Sequence, residues 1–164
     1  MELVQEVRAA VVASANAEYA VWMTDAAGLD LAPFSLPGTS TEAWVVSPRS
    51  ARPPVGFLAV RVGAHIEVTT GDAAAAGRVL ASLPVPPAPD DLPPLIFELL
   101  RSRARPMLLT RSGPDAPVVT TTAEGTNVTL HVTRGILVPE RWSVRLARGT
   151  LQWTRTPAPQ EETP

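Results

Sequence analysis

Lysine and cysteine are missing altogether from the 164 residues, and histidine occurs only as His65 and His131. Without lysine there is no Schiff-base chemistry. Without cysteine there is no thiolate nucleophile, disulfide or thiolate-bound zinc, and little imidazole remains for proton transfer. No glycine-rich phosphate loop, Gly-x-Ser-x-Gly elbow or dinucleotide fingerprint occurs, and no local spacing of His, Asp or Glu suits a metal. The chain is therefore expected to be non-enzymatic, with no cofactor and no metal. No run approaches the roughly 18 apolar residues of a membrane span. The opening Met1–Glu6 is acidic and amphipathic rather than basic and then apolar, which predicts a cytoplasmic protein without a secretory leader.

What the chain does have is arginine, proline and enough apolar residues to fold. Hydrophobic residues make up 45% and charged residues 18%, which argues for a packed core rather than disorder. All 14 basic residues are arginine and 18 residues are proline, a bias that reads as GC-rich coding rather than as function. The net charge of −2 hides an asymmetry. Residues 99–156 carry nine arginines against Asp115, Glu124 and Glu140, whereas the rest carries five arginines against thirteen acids. The two ends should pair with each other electrostatically, or one of them should face a charged partner.

Periodicity divides the chain into an α+β protein, mainly antiparallel sheet, with three helices and about ten short strands. Leu3, Val4, Val7, Ala10 and Val11 recur at helical spacing and predict a helix from Glu2 to Ala17. Strands follow at Tyr19–Thr24, Leu29–Ala32 and Glu42–Ser47, and a hairpin runs from Gly56 to Thr70 with its turn at Gly63-Ala64. A three-residue loop or a bulge at that turn would gather Arg61, His65 and Glu67 on one polar face, as a half-buried sheet prefers. Asp72 should cap a helix over Ala73–Leu83. The proline-rich stretch Pro84–Pro94 should be a stiff connector. A second helix is predicted from Pro94 to Arg103, and five strands at Met107–Arg111, Pro117–Thr122, Asn127–Arg134, Trp142–Ala147 and Thr150–Arg155. The domain reading is a first half, 1–83, a connector, 84–94, and a second half, 95–155, packed as one unit and followed by a disordered tail, 156–164.

The two halves echo each other. Each reads helix, strand, turn with Asp and Gly, two strands, hairpin, and Val60-Arg61-Val62 matches Val144-Arg145-Leu146 at an offset of about 84–86 residues. Two diverged copies of a helix-plus-five-strand unit are expected.

Few residues stand out as site candidates. His131 alternates with Val128, Leu130 and Val132, which puts it with Thr129 and Thr133 on a solvent-facing side. His65 beside Glu67 reads as a surface ion pair. Asp90-Asp91 precedes a helix, where carboxylates complement the helix N-terminus. The arginine set of the second half, Arg101, Arg103, Arg105, Arg141, Arg145, Arg148 and Arg155, is the candidate polyanion-binding surface, provided that several share a face with Trp142 or Trp153. Otherwise these arginines pair with acids or cover apolar surface with their stems, and the tryptophans are core. The valine- and threonine-rich strands predict faces or edges covered by another subunit, most simply a homodimer. The expected function is a protein-binding or adaptor module, oligomeric and without a membrane. The alternative is nucleic-acid or polyanion binding through the arginine-rich half.

Overall fold

The structure, a computed structural model, describes residues 2–14, 28–49, 56–69, 71–103, 106–136 and 138–158. The strand expected at Tyr19–Thr24, with Trp22, falls outside the described residues, as do Arg105 and residues 159–164. Among the described residues there are three helices: α1 (Glu2–Ala13), α2 (Ala73–Ser82) and α3 (Leu92–Leu100). A first antiparallel sheet has the order β1 (Leu29–Ser35), β2 (Glu42–Pro48), β3 (Phe57–Val62), β4 (His65–Thr69). A second is built from β5 (Met107–Leu109), β6 (Val118–Thr122), β7 (Gly125–Arg134), β8 (Val138–Ala147) and β9 (Thr150–Pro157). The fold is thus α+β, as the periodicity predicts. In the second sheet β5 and β6 both pair with β7, through Met107↔Arg134 and Val118↔Thr129. They form one row interrupted by the loop 110–117.

Composition explains the layers. β3 is buried along Phe57-Leu58-Ala59-Val60, a continuous apolar run of the kind found in strands covered on both faces. On one face Phe57, Ala59, Val46, Ile66 and Val68 pack under Val7 and Val11 of α1. On the other, Leu58 and Val60 join Ala76 and Val79 of α2, Leu95, Ile96 and Leu99 of α3, and Leu130, Trp142 and Val144 of the second sheet. Helices α2 and α3 therefore lie between the two sheets, in a core shared by both halves. α3 is apolar nearly all round, with only Pro94 and Glu98 outside its buried set, as suits a helix covered on all sides. Asp72 caps α2 as expected, accepting the Ala74 N–H at 2.9 Å. α3 begins two residues earlier than the sequence suggests, with Pro93 and Pro94 in its first turn, where a missing N–H costs nothing. β8 reaches back to Val138, and β9 runs on through Thr156 and Pro157, which the sequence assigned to the tail.

The first hairpin corrects an expectation. Val62 pairs with His65 across a plain two-residue turn, with no bulge, and Gly63 at φ +59° occupies the first central position, where a II′ turn wants glycine. Arg61 therefore faces α1 beside Ile66, on the opposite side of the sheet from His65 and Glu67. The alternation argument failed because it assumed a solvated face. Both faces of this sheet are covered, so neither side enforces a clean polar stripe.

The two sheets share their registers. Carrying β1 and β2 forward by 85 residues, β3 by 84 and β4 by 86 turns Phe34↔Ala43 into Val119↔Val128, Val45↔Leu58 into Leu130↔Trp142, and Val60↔Glu67 into Val144↔Trp153. Leu151 thereby corresponds to His65 rather than to Ile66. The helices do not follow: α1 covers the outer face of its sheet, whereas α3 lies against the inner face of the second.

Candidate interaction face

Positions registered to the α1-covered face define the outer face of the second sheet. Where the first sheet has Trp44, Val46, Phe57, Ala59, Ile66 and Val68, the second has Thr129, His131, Arg141, Ser143, Gln152 and Thr154. Threonine and serine satisfy a pleated surface in water as valine does in a core, so the same strand geometry carries opposite solvation. Among the described residues no helix covers this face, and Asn127, Arg141, Ser143, Arg145, Gln152 and Thr154 are all exposed. Along β8 the row Pro139, Arg141, Ser143, Arg145 places side chains roughly 6.6 Å apart.

Arg145 stands at the position registered to Arg61. Arg61 lies on the covered face, where its guanidinium reaches Glu6 of α1 at 2.9 Å and Glu42 at 3.2 Å, and lies over the Trp44 ring. Those partners, first the hydrogen bond that Arg61 donates to Glu6, hold its pKa above the ordinary arginine value. Arg145 has Glu124 at 3.6 Å, an exposed residue at the rim. Arg141 has no ion pair among the described residues. His131 faces outward as expected, with Nδ1 3.1 Å from the Asp115 carbonyl and Nε2 3.7 Å from its carboxylate, tying the loop 110–117 to β7. The Thr110 N–H donates to the His131 carbonyl at 2.9 Å and secures the same loop.

The remaining arginines of the set are dispersed. Arg101 and Arg103 converge on Glu98 at 3.2 and 2.7 Å, and Arg103 also lies over the Phe34 ring of the first sheet. Arg103 is only 7% exposed, and its burial pulls the guanidinium below its ordinary pKa against the opposing charge of Glu98. Arg148 forms the β8–β9 turn at φ +50°. Arg155 lies on the inner face, over Trp153 at 5.0 Å. Arg141 and Arg145 thus share a face, while Trp142 and Trp153 point to the other side. The ion pairs among the described residues stay within one half or the other, so the charge asymmetry of the chain is not used to join its ends. In the first half His65 meets Glu67 at 3.4 Å, and Arg78 of α2 supplies the cation at 2.8 Å.

Sequence reasoning missed the apolar members of the outer face. Leu108, opposite Thr133, is 71% exposed, and Val118, opposite Thr129, is 56% exposed. The available signal was the run Met107-Leu108-Leu109, in which alternation must turn one apolar residue outward. Leu108 and Pro139 both neighbour Thr133, which puts an apolar spot at one end of the arginine row. Among the described residues no three His, Asp or Glu converge as a metal would require, and no helix is long and apolar enough to cross a membrane.

These features define a class, two antiparallel meanders around a helical middle layer, with one outer face roofed and, among the described residues, the other open. Compared with protein-family models, with curated proteins and with solved structures, the chain matches none.

Proposed function

We propose that this chain is a non-enzymatic protein-binding module whose second sheet presents its outer face to an acidic segment of a partner protein. The observation behind this reading is the contrast between two registered faces. One is closed by an amphipathic helix whose Glu6 meets Arg61, and the other holds Arg145 at the matching position with no helix above it among the described residues. Arg141 and Arg145 attract carboxylates, and the spot at Leu108 and Pro139 accommodates one apolar anchor. A symmetric dimer through this face would bring like cations together, which favours a different protein over a second copy. Nucleic acid is the weaker reading. The tryptophans that could stack on bases face the core, which leaves phosphate contacts alone.

Selection of short peptides from a displayed library against the immobilised protein tests this. Enriched sequences should be acidic with an apolar residue, and R141E/R145E should abolish their binding. A selection that enriches nothing, or peptides indifferent to the double reversal, would sink the reading. Filter binding of single-stranded DNA at two salt concentrations separates the alternative. Tight binding at low salt that falls steeply with salt would favour nucleic acid.

A further inference from the structure

We infer that β6 is a pairing edge through which two copies of this chain join their second sheets, each β6 running antiparallel to the other across a two-fold axis at Thr120. The contact leaves Arg141 and Arg145 uncovered and does not rest on the role proposed above for the outer face.

Backbone direction decides which groups are free. The Thr110 N–H donates to the His131 carbonyl and the Gly135 N–H to the Pro106 carbonyl, so odd-numbered residues of β7 turn their backbone groups toward the row of β5 and β6. Gly125, Asn127 and Thr129 belong to that set, and they pair with Thr122, Thr120 and Val118. By the alternation of an antiparallel ladder, Val119 and Thr121 direct their N–H and C=O away from β7, where no strand meets them among the described residues.

The sheet edges are not equally protected. β1 carries Asp30 and Pro33, β4 carries His65 and Glu67, and β9 carries Arg155 and ends on Pro157. Charges and prolines of this kind discourage an edge from pairing. β5 is only three residues long. β6 reads Val118-Val119-Thr120-Thr121-Thr122, all of high strand propensity, with no charge, proline or glycine among them. Val118 is 56% exposed, and the three threonines are exposed as well.

The strand also complements itself. With Thr120 opposite its own copy, Val119 stands opposite the partner's Thr121, and each such pair exchanges two backbone hydrogen bonds. Val118 then lies opposite the partner's Thr122, and no like charges meet. The partner's β6–β7 turn, Ala123-Glu124, arrives next to Pro117 and Ala116. Those two residues line a cavity of about 450 Å³ together with Val119 and Arg111. Arg111 has no ion pair among the described residues, although Asp90 lines the same cavity. Glu124 is exposed and only loosely held by Arg145, at 3.6 Å. The two-fold axis therefore brings each Glu124 toward the other copy's Arg111, a charge match made twice. Pairing consumes the edge in both copies, so assembly stops at two. Five residues make a small interface, which implies a reversible dimer with Kd of about 10–100 µM.

Sedimentation equilibrium over roughly 1–500 µM reads the association, and amide hydrogen exchange by NMR reads its location. The protein should pass from monomer to dimer and no further. Exchange at Val119 and Thr121 should slow with concentration, while that at Asn127, bonded within the sheet, stays constant. T120K, at an exposed position, sets two cations face to face on the axis and should weaken the dimer at least tenfold with unchanged circular dichroism. R111E should weaken it about tenfold, and R111E/E124R should recover most of that loss. A monomer throughout the range, growth beyond the dimer, or a dimer indifferent to T120K or R111E overturns the pairing. So does a dimer in which Val119 and Thr121 exchange no more slowly, or a double variant no better than R111E. Peptide selection on the outer face reads Arg141 and Arg145 instead, so either proposal can fail alone.

Discussion

At the scale of single residues, the ion cluster around Glu98 shows how burial changes the worth of a charge. Arg103 is drawn from water between the two sheets, with Glu98 at 2.7 Å and the Phe34 ring beside it. A cation whose pKa in the fold lies below its unfolded value opposes folding at every pH below that folded value, and the penalty fades only as pH climbs through the strongly alkaline arginine range. No relief arrives near neutrality, so Glu98 must offset it. Glu98→Gln leaves a buried guanidinium without its counter-charge and should cost about 3 kcal/mol. Arg103→Met removes the charge while Glu98 keeps Arg101, and should cost under about 1.5 kcal/mol. Urea unfolding with unchanged m-values checks the pair. If R103M proves as harmful as E98Q, the desolvation account is wrong. These roles were not legible in the sequence. The run Arg101-Ser102-Arg103 gives no sign that Phe34 and Glu98 will converge on one of its members.

Secondary-structure elements were more legible, because their signals are local. The Asp72 cap, the proline start of α3 and the five strands of the second half follow from residue chemistry and alternation. The bulge failed, because the number of covered faces is not a local property. Gly77 makes the same point within α2, which packs on β9: a Cβ at Gly77 would lie 3.3 Å from both the backbone N and the Cβ of Leu151. Gly77→Ala gains up to about 1 kcal/mol of helix propensity, and the close approach offsets it. Gly77→Val should push α2 off β9 and cost about 2 kcal/mol. Thermal denaturation reads this directly, and a G77V protein as stable as the parent would contradict the packing described. We propose that the meanders are diverged copies of one strand unit, with the helices recruited separately. Among relatives of this chain, halves that grow no more alike at the registered positions would count against that.

At the scale of the whole molecule, the shared core sets the cooperativity. Leu58, Val60 and Val79 from one side of the proline connector and Leu130, Trp142 and Val144 from the other belong to one buried cluster. Neither half can lose its packing without exposing the other, so unfolding should be a single transition with matching calorimetric and van't Hoff enthalpies. Two resolved transitions would show that the halves are independent domains.

The sequence by itself determined which residues make strands and helices, and that lysine and cysteine chemistry is absent, because propensity, capping and side-chain inventory act over a few neighbouring residues. It also placed His131 and Arg145 on outward faces by simple alternation. Only the tertiary structure decided which outer face α1 covers, where Arg103 and Arg155 come to lie, and that Trp142 and Trp153 pack against each other. Those outcomes depend on how two sheets enclose α2 and α3 in one interior while α1 packs on the far side of the first sheet, and alternation along a strand cannot report what lies across it.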